Sequence, residues 1–433
     1  MNAITRKGWC PGALAPMQSG DGFIFRLRLT NGVLSFARAR IFADLSRRYG
    51  NGAFDLSARA NLQMRGVAEE RVAALQAELA ALGLLDTDAR AEAVRNVVPS
   101  PLAGLDPTAP LDARPLVAAL EAQLTGDTLY QALPPKFGFS LDGGGALPLD
   151  GVETDIDFTA SPGAPPRLAV ALGGVFAGTL APDDLGAAVE GPVRAFLALR
   201  GEDRRMSATV ARLGVAALIA NVSVIASEAN PSIEPVSQDG LLRRFAPRND
   251  GAHYARVLGV QSCGETHFVG AGLLFGRIGG DALEALAQEA EAAGATELRL
   301  TAWRAILAVG LISASAEKLA ATLTAQGFIL NASDPRLVFA ACPGAPACNS
   351  ALADVRALAL QLAPHWRADA GRIHVSACAK GCALHAKALT IVAEADGFAW
   401  IDHGLAREEP QARGLDLATL QKKLDLLSTG AKA

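Results

Sequence analysis

Apolar positions near the start of the chain switch between two periods. Phe23, Phe25, Leu27 and Leu29 alternate with Ile24, Arg26 and Arg28, the period of a strand with one buried and one cationic face. Residues 34–49 then carry a helical stripe of Leu34, Ala37, Ile41, Phe42 and Leu45, and Gly50-Asn51-Gly52 supplies the stop. Residues 54–64 read as a second strand. Residues 67–84 read as an amphipathic helix with Val72, Leu75, Leu79 and Leu82 on its buried face. The same order of strand, helix, glycine and strand returns at 268–310. Leu34 aligns with Ile278, Gly50 with Gly294, Ser57 with Thr301, Arg59 with Trp303 and Leu62 with Ile306, all at an offset of 244. A gap-free match of turn glycine and apolar positions over about thirty residues points to an internal duplication.

Each copy is followed by an α/β segment. After the first come a loop Arg95-Asn96-Val97-Val98-Pro99-Ser100-Pro101, a helix near 112–124, and Leu133-Pro134-Pro135-Lys136-Phe137. Strands at 154–160 and 167–172 and a helix at 183–200 complete it. Gly143-Gly144-Gly145 marks a turn and is no phosphate loop, because no Gly-Lys-Ser/Thr follows. Residues 229–250, with Pro231, Pro235 and Pro247, read as a linker. The chain therefore divides into 1–85, 86–228, the linker 229–250, 251–329 and 330–433, the last carrying a cysteine-rich α/β unit.

Four of the six cysteines lie in that last segment. Cys342 and Cys348 have five residues between them, Cys378 and Cys382 three, and each pair follows a short apolar run. Two strands that each end in a cysteine loop bring both pairs to one sheet edge. Four thiolates converging there could hold an iron–sulfur cube or a zinc ion. Five intervening residues are wide for a zinc knuckle but suit loops around a bulky cluster. Pro343, Gly344, Pro346 and Gly381 let backbone pass close to inorganic sulfide. Zinc and unliganded redox thiols remain open on spacing alone. Cys10 and Cys263 have no partner at metal spacing and read as ordinary thiols.

Charged residues are 19% of the 433 and aromatics 5%, a balance of neither a disordered nor a nucleic-acid-binding chain. The net charge of −4 argues against a polyanionic partner across the whole surface. The Arg6-Lys7 pair has no apolar stretch behind it, so a signal peptide is not expected. The longest apolar run, 213–226, is broken by Asn221 and Ser223. It is too short for a bilayer and reads as a buried helix running into a strand. A soluble, cytoplasmic protein is expected, and in that reducing setting clustered cysteines favour metal over disulfide.

Cys-x5-Cys followed by Cys-x3-Cys, in the second half of a duplicated chain, resembles the sulfite and nitrite reductase family. Ser57-Ala58-Arg59-Ala60-Asn61-Leu62-Gln63 is similar to its Thr-x-Arg-Gln-x-x-Gln strand, Arg95-Asn96 to its Arg-Asn loop, and Lys136 to the first lysine of its Lys-Phe-Lys segment. The resemblance implies a pseudo-twofold α+β and α/β fold, with two ferredoxin-like half-domains and two α/β domains. It implies a [4Fe–4S] cluster on Cys342, Cys348, Cys378 and Cys382, and Arg59, Arg95 and Lys136 as contacts to a tetrapyrrole. Charge-assisted forks suit that ring's carboxylates. In the siroheme enzymes the last cysteine also bridges to the haem iron, which places Cys382 nearest the pocket.

The departures redirect the reading. Gly138 stands where the family has its second active-site lysine, and Lys380 where reductases have asparagine. These, the modest length and the start Lys7-Gly8-Trp9-Cys10-Pro11-Gly12 resemble the precorrin-hydroxylating branch of the family, in aerobic cobalamin synthesis. The implied reaction takes precorrin-3A and molecular oxygen to precorrin-3B by ring hydroxylation and lactone formation. The implied cofactors are the cluster and a non-haem iron. NADH is the implied electron source, with a separate reductase expected to pass the electrons on, since no Gly-x-Gly-x-x-Gly is evident. The alternative is a siroheme-dependent sulfite or nitrite reductase; a third reading is a cluster-carrying protein without activity. No histidine spacing singles out an iron ligand. His385 lies closest to the cysteines in sequence, and His374 reads as a satisfied core or edge residue. Arg26 and Arg28 read equally as a solvated face, Arg65 is a weaker pocket candidate, and Arg243, Arg244 and Arg248 default to the surface. Ser57, Asn61 and Gln63 fit turn roles or ring contacts. The duplication supplies an internal pseudo-twofold, so a monomer is expected.

Overall fold

A computed structural model of the chain describes residues 11–86, 88–220, 222–225 and 252–428. The linker 229–250 with its arginines, and Cys10, lie outside the described residues. Among the described residues four five-stranded sheets build the fold. Two are antiparallel and belong to the duplicated half-domains. The first runs Met17–Ser19, Gly22–Leu27, Leu62–Val67, Ala53–Leu56 and then Arg277–Gly279; the second runs Gly259–Cys263, Thr266–Gly272, Ala305–Leu311, Glu297–Leu300 and then Val33–Leu34. The outermost strand of each sheet is therefore donated by the other half. Ile278 pairs with Phe54, and Leu34 pairs with Leu298. The 244 offset maps one pairing onto the other.

The exchange merges the two half-domains into one core. Phe25, Leu34, Phe42, Leu45, Phe54 and Leu62 share it with Ile278, Leu283, Leu286, Leu298, Ile306 and Leu319. The helices Phe36–Tyr49 and Gly280–Ala292 meet closely enough that a Cβ on Gly280 would stand 2.5 Å from Ser46 Oγ. Backbone detail repeats too. Asn31 and Phe275 take φ of 60° and 53°, and Ala60 and Arg304 take 54° and 58°. Such left-handed non-glycine positions are uncommon, so matched pairs at the 244 offset mark a true structural repeat.

Residues 54–64 are not one strand. Ala53–Leu56 and Leu62–Val67 are joined by a tight turn. Ser57 Oγ accepts the N–H groups of Arg59 and Asn61, each at 3.3 Å, and Asn61 donates to the Arg59 carbonyl at 2.8 Å. The hydroxyl and amide out-compete a continuous strand, and Arg59 is left at the tip of a hairpin. The helix expected over 67–84 is Val72–Ala81, and Leu82 is exposed rather than buried. The run after 213 turns at Gly214, forms the short helix Ala216–Ile219 and does not continue into a strand by 225.

The two α/β units share one topology. In Val97–Pro99, Phe139–Asp142, Ile156–Ser161, Arg167–Leu172 and Val175–Leu180, the first two pairings are parallel and the next two antiparallel. Phe339–Ala341, Ile373–Ser376, Ala388–Glu394, Gly397–Gly404 and Ala412–Leu415 repeat that order. No helix among the described residues is long and apolar enough to cross a membrane.

One carboxylate ties three units together. Asp55 meets Arg277 of the exchanged strand at 2.9 Å, Arg65 at 3.2 Å and Arg356 of the cysteine-bearing unit at 3.3 Å. Burial alone would raise its pKa. The Arg277 hydrogen bond and the charges of Arg356, Arg277 and Arg65 outweigh that and hold it below the usual carboxylate range. Asp55→Ala leaves three guanidinium groups without their shared anion and is expected to cost about 3 kcal/mol of folding stability, read as a lower denaturant midpoint. Because the folded pKa is depressed, this contribution is present above the unfolded carboxylate range and is lost as pH falls through the folded value. A midpoint unchanged in the variant at neutral pH would show the network to be inert.

Candidate functional site

The strands Phe339–Ala341 and Ile373–Ser376 lie side by side and parallel, so both cysteine loops leave the same sheet edge, as their spacing implied. The Ala377 N–H donates to Cys342 Sγ at 3.4 Å, and the Leu352 N–H to the Ala377 carbonyl at 3.0 Å. Lys380 Nζ donates to Ser350 Oγ at 2.6 Å and staples one loop to the other. Gly344 and Gly381 sit at φ of +69° and +64°, a backbone that L side chains resist. Cys342 is buried, Cys348 and Cys378 are half-buried, Cys382 is exposed, and no disulfide joins them. Burial, then the neighbouring Cys378, Cys342 and Cys348, push the Cys382 thiol up, with Lys380 opposing. The four are thus within each other's electrostatic reach. Yet among the described residues no three Cys, His, Asp or Glu side chains close around the position of a single ion.

The first cysteine loop docks on the first half-domain through one carbonyl. The Ala347 oxygen accepts from Ser19 Oγ at 2.7 Å, Arg65 Nη2 at 3.0 Å and the Gly20 N–H at 3.3 Å. A Cβ on Gly20 would lie 2.6 Å from the Pro346 oxygen. Arg65 is therefore committed to Asp21, Asp55 and this loop, and the weaker expectation of a pocket role for it gives way to a positioning one.

The other basic residues gather elsewhere, at the amino ends of the parallel strands of the first α/β unit. Arg59 reaches from its hairpin tip to the Lys136 carbonyl. Asn96 Nδ2 donates to the Phe137 and Pro135 carbonyls at 3.1 and 3.3 Å, closing the Arg95-Asn96 loop onto the Lys136–Gly138 segment. Lys136 itself is exposed. Arg95 pairs with Asp86 at 3.1 Å and Glu121 at 3.5 Å. The three motif stretches expected to converge do converge. Ser57 and Asn61 take turn roles, and Gln63 lies opposite Arg26 in the ladder.

Arg26 and Arg28 overturn an expectation. They are not a solvated face: Arg26 is only 5% exposed, because neighbouring units cover the sheet. Arg28 donates to the Arg95 carbonyl. Burial, then the charge of Arg26, drive the Arg28 guanidinium down to about 9, with Arg95 adding and Glu92 and Asp86 opposing. Arg26 Nε and Nη1 and Arg28 Nε are buried with no hydrogen-bond partner among the described residues. Orphaned cationic donors held beside like charge are costly, and a polyanion would repay both terms.

His374 is also other than expected. It is 0% exposed, neither ring nitrogen has a partner, and burial, then His385 and Arg372, lower its pKa to about 4. It lies under the second cysteine loop, its Cε1 3.5 Å from a Cβ position on Gly381. His385 is exposed. No trio with metal-binding closeness includes any of the six histidines, so the mononuclear iron implied by the resemblance finds no ligand set among the described residues.

Comparison with known proteins places these features. A family model for the nitrite/sulfite reductase ferredoxin-like half domain matches residues 15–82, and one for the nitrite and sulphite reductase 4Fe-4S domain matches 90–229. A precorrin-3B synthase from Sinorhizobium sp is 31% identical over 95% of this chain and 86% of its own length. The chain belongs to the nitrite and sulfite reductase family. It is an oxidoreductase of that family. A ferredoxin–nitrite reductase from Synechococcus elongatus is 27% identical over 83% of this chain and 74% of that protein. The solved structure of Mycobacterium tuberculosis NirA superposes with a TM-score of 0.67, covering 93% of this chain and 79% of that one at 21% identity, a likeness of fold. The 4Fe-4S domain match falls on the first α/β unit, the topological twin of the unit that carries the cysteines.

The frustrated arginines make a separable prediction. Arg26→Met removes a buried charge with unmet donors, so the denaturation midpoint is expected to hold or rise. Binding of a polycarboxylated porphyrin, followed by fluorescence quenching, is expected to weaken roughly tenfold or more. Loss of stability with unchanged porphyrin affinity would show Arg26 to be structural.

Proposed function

We propose that this protein is an oxygen-dependent monooxygenase of aerobic cobalamin synthesis, converting precorrin-3A to precorrin-3B by ring hydroxylation and lactone formation. The observation that carries the reading is Gly138. It borders Arg59 Nε and the Asn96 oxygen, and a Cβ there would stand 3.5 Å or more from every neighbour. Packing does not demand glycine at this spot, and its backbone is not left-handed. The pocket simply omits a side chain where the family's reductases carry a lysine, which leaves room for a larger substrate.

In this reading Arg59, Arg95 and Lys136, with Arg26 and Arg28, bind the carboxylate arms of the tetrapyrrole, which is substrate rather than cofactor. Arginine forks hold both charge and orientation. Cys342, Cys348, Cys378 and Cys382 would hold a [4Fe–4S] cluster, whose chemistry when bound is to deliver electrons singly. The Ala347 carbonyl, gripped by Ser19, Gly20 and Arg65, fixes the cysteine loop against the sheet whose hairpin carries Arg59. NADH supplies the electrons through a separate reductase, and the protein acts as a cytoplasmic monomer. The second reading, a siroheme-dependent nitrite or sulfite reductase, is favoured by the ferredoxin–nitrite reductase relatives at 25–32% identity.

Protein purified without oxygen is expected to show the broad absorption of a thiolate-bound cluster and no haem Soret band, and Cys348→Ser or Cys378→Ser should abolish it. With precorrin-3A, a reductase, NADH and labelled dioxygen, the product should carry one labelled oxygen. A Soret band with sulfite or nitrite turnover would establish the second reading instead. Gly138→Lys should fold normally yet hydroxylate roughly tenfold or more slowly; wild-type rates in that variant would remove Gly138 as the carrier of the reading.

A further inference from the structure

The imidazole of His374 is fully buried, and neither ring nitrogen has a partner among the described residues. A polar ring held in that state costs folding free energy on both of its edges. Burial, then His385 and Arg372, lower its pKa to about 4. The ring is therefore neutral at working pH and carries one N–H and one bare nitrogen.

The strands around it offer that N–H no acceptor. His374 lies on Ile373–Ser376, the strand between Phe339–Ala341 and Ala388–Glu394, with Ala340 and Thr390 opposite it in the two ladders. Ala340 has no polar side chain. The Thr390 hydroxyl is turned to the Ala388 and Gly404 carbonyls, at 3.1 and 2.9 Å. Ser376, next on the same face, donates to the Cys378 carbonyl at 2.7 Å. Arg372 has donors only.

What covers the ring is the second cysteine loop. Cys378 opens that loop and Cys382 closes it. Gly381, between Lys380 and Cys382, folds down onto the imidazole: a Cβ there would stand 3.1 Å from Ala406 Cβ and 3.5 Å from His374 Cε1. The unpartnered ring thus lies beneath the span between two of the four thiols, and a thiolate or sulfide there is the anionic acceptor that the sheet does not provide.

We infer that His374 donates its N–H to sulfur on the Cys378–Cys382 side of the cluster and thereby sets the cluster's reduction potential. The inference rests on the assignment of a [4Fe–4S] cluster to Cys342, Cys348, Cys378 and Cys382. Reduction adds one negative charge to such a cluster. An N–H aimed at its sulfur stabilises the reduced form more than the oxidised form and raises the potential. Burial strengthens the effect, because no water competes for the sulfur. The electron comes from the donor reductase of the proposed reaction, and the imidazole keeps its proton throughout. His374 is in this sense a positioning and tuning residue; it moves neither electron nor proton.

The test uses full-length protein purified without oxygen, with its cluster in place. In wild-type protein grown with isotope-labelled histidine nitrogen and then reduced, pulsed electron paramagnetic resonance should show a weak coupling of that nitrogen to the cluster spin. His374→Phe, which fills the site without a donor, should keep the cluster absorption and lose the coupling. Its ratio of reduced to oxidised cluster at a fixed potential should fall roughly tenfold, equivalent to about 59 mV for one electron. His374→Gln, which restores an N–H, should recover part of that shift without the histidine signal. In cluster-free protein the denaturation midpoint of His374→Phe should hold or rise, since two unmet polar atoms are gone. Absence of the nitrogen coupling in wild-type protein overturns the inference whatever the variants do, and so does a wild-type potential in His374→Phe. If Cys348→Ser and Cys378→Ser keep the cluster absorption, the cysteine assignment falls and His374 with it. If those variants abolish it while His374→Phe retains the wild-type coupling and potential, the donor role alone falls.

Discussion

Neither half-domain can close its own sheet. Val33–Leu34 completes the second sheet and Arg277–Gly279 the first, so each half leaves an unpaired edge and an uncovered core until the other arrives. The exchanged strands are only two and three residues long, and their backbone bonds alone would hold little. Their weight lies in what they carry. Leu34 and Ile278 enter the shared core, and Arg277 reaches Asp55. Asp55 also holds Arg356 from the cysteine-bearing unit. One reciprocal exchange therefore sets the cysteine loops relative to the arginine cluster, through a carboxylate that three guanidinium groups share.

Duplication kept the backbone and divided the chemistry. At the 244 offset, Ser57 and Thr301 cap equivalent turns with the same pair of N–H bonds. The side chains on the sheet face part company. Arg59, Gln63 and Arg65 correspond to Trp303, Leu307 and Val309, and Arg26 and Arg28 to Gly270 and Gly272. The second sheet spends that face on apolar packing: Phe268, Trp303, Leu307 and Val309 bury against Val98, Leu102, Leu147 and Leu149. A Cβ on Gly270 would overlap the Val257 carbonyl, at 1.7 Å. One copy thus cements the assembly, and the other keeps a charged face that packing leaves for a ligand.

What could be read from residue order was whatever repeats or clusters within a short span. The cysteine pairs, the 244 offset and the three basic motif stretches are of that kind, and the structure brings each set together. What could not be read depends on a neighbour remote in sequence. Alternation at Arg26 and Arg28 says which face they occupy, but nothing in it says that other units cover that face. The apolar pattern through 54–64 hid a hairpin made by the Ser57 hydroxyl. His374 lies in an ordinary strand pattern, and only the fold shows it buried without partners.

Arginine holds an anion firmly because its guanidinium keeps charge and geometry together. Arg26, Arg28, Arg59 and Arg95 bring such groups to the junction of the first half-domain and the first α/β unit, and the cost falls on the two that the fold buries. Burial and the charge of Arg26 lower the Arg28 guanidinium to about 9, and Arg26 keeps buried donors without partners among the described residues. Arg95 avoids that cost by pairing with Asp86 and Glu121. Folding therefore leaves an unmet demand for negative charge where Arg26 and Arg28 lie, and binding an anion relieves it where packing does not.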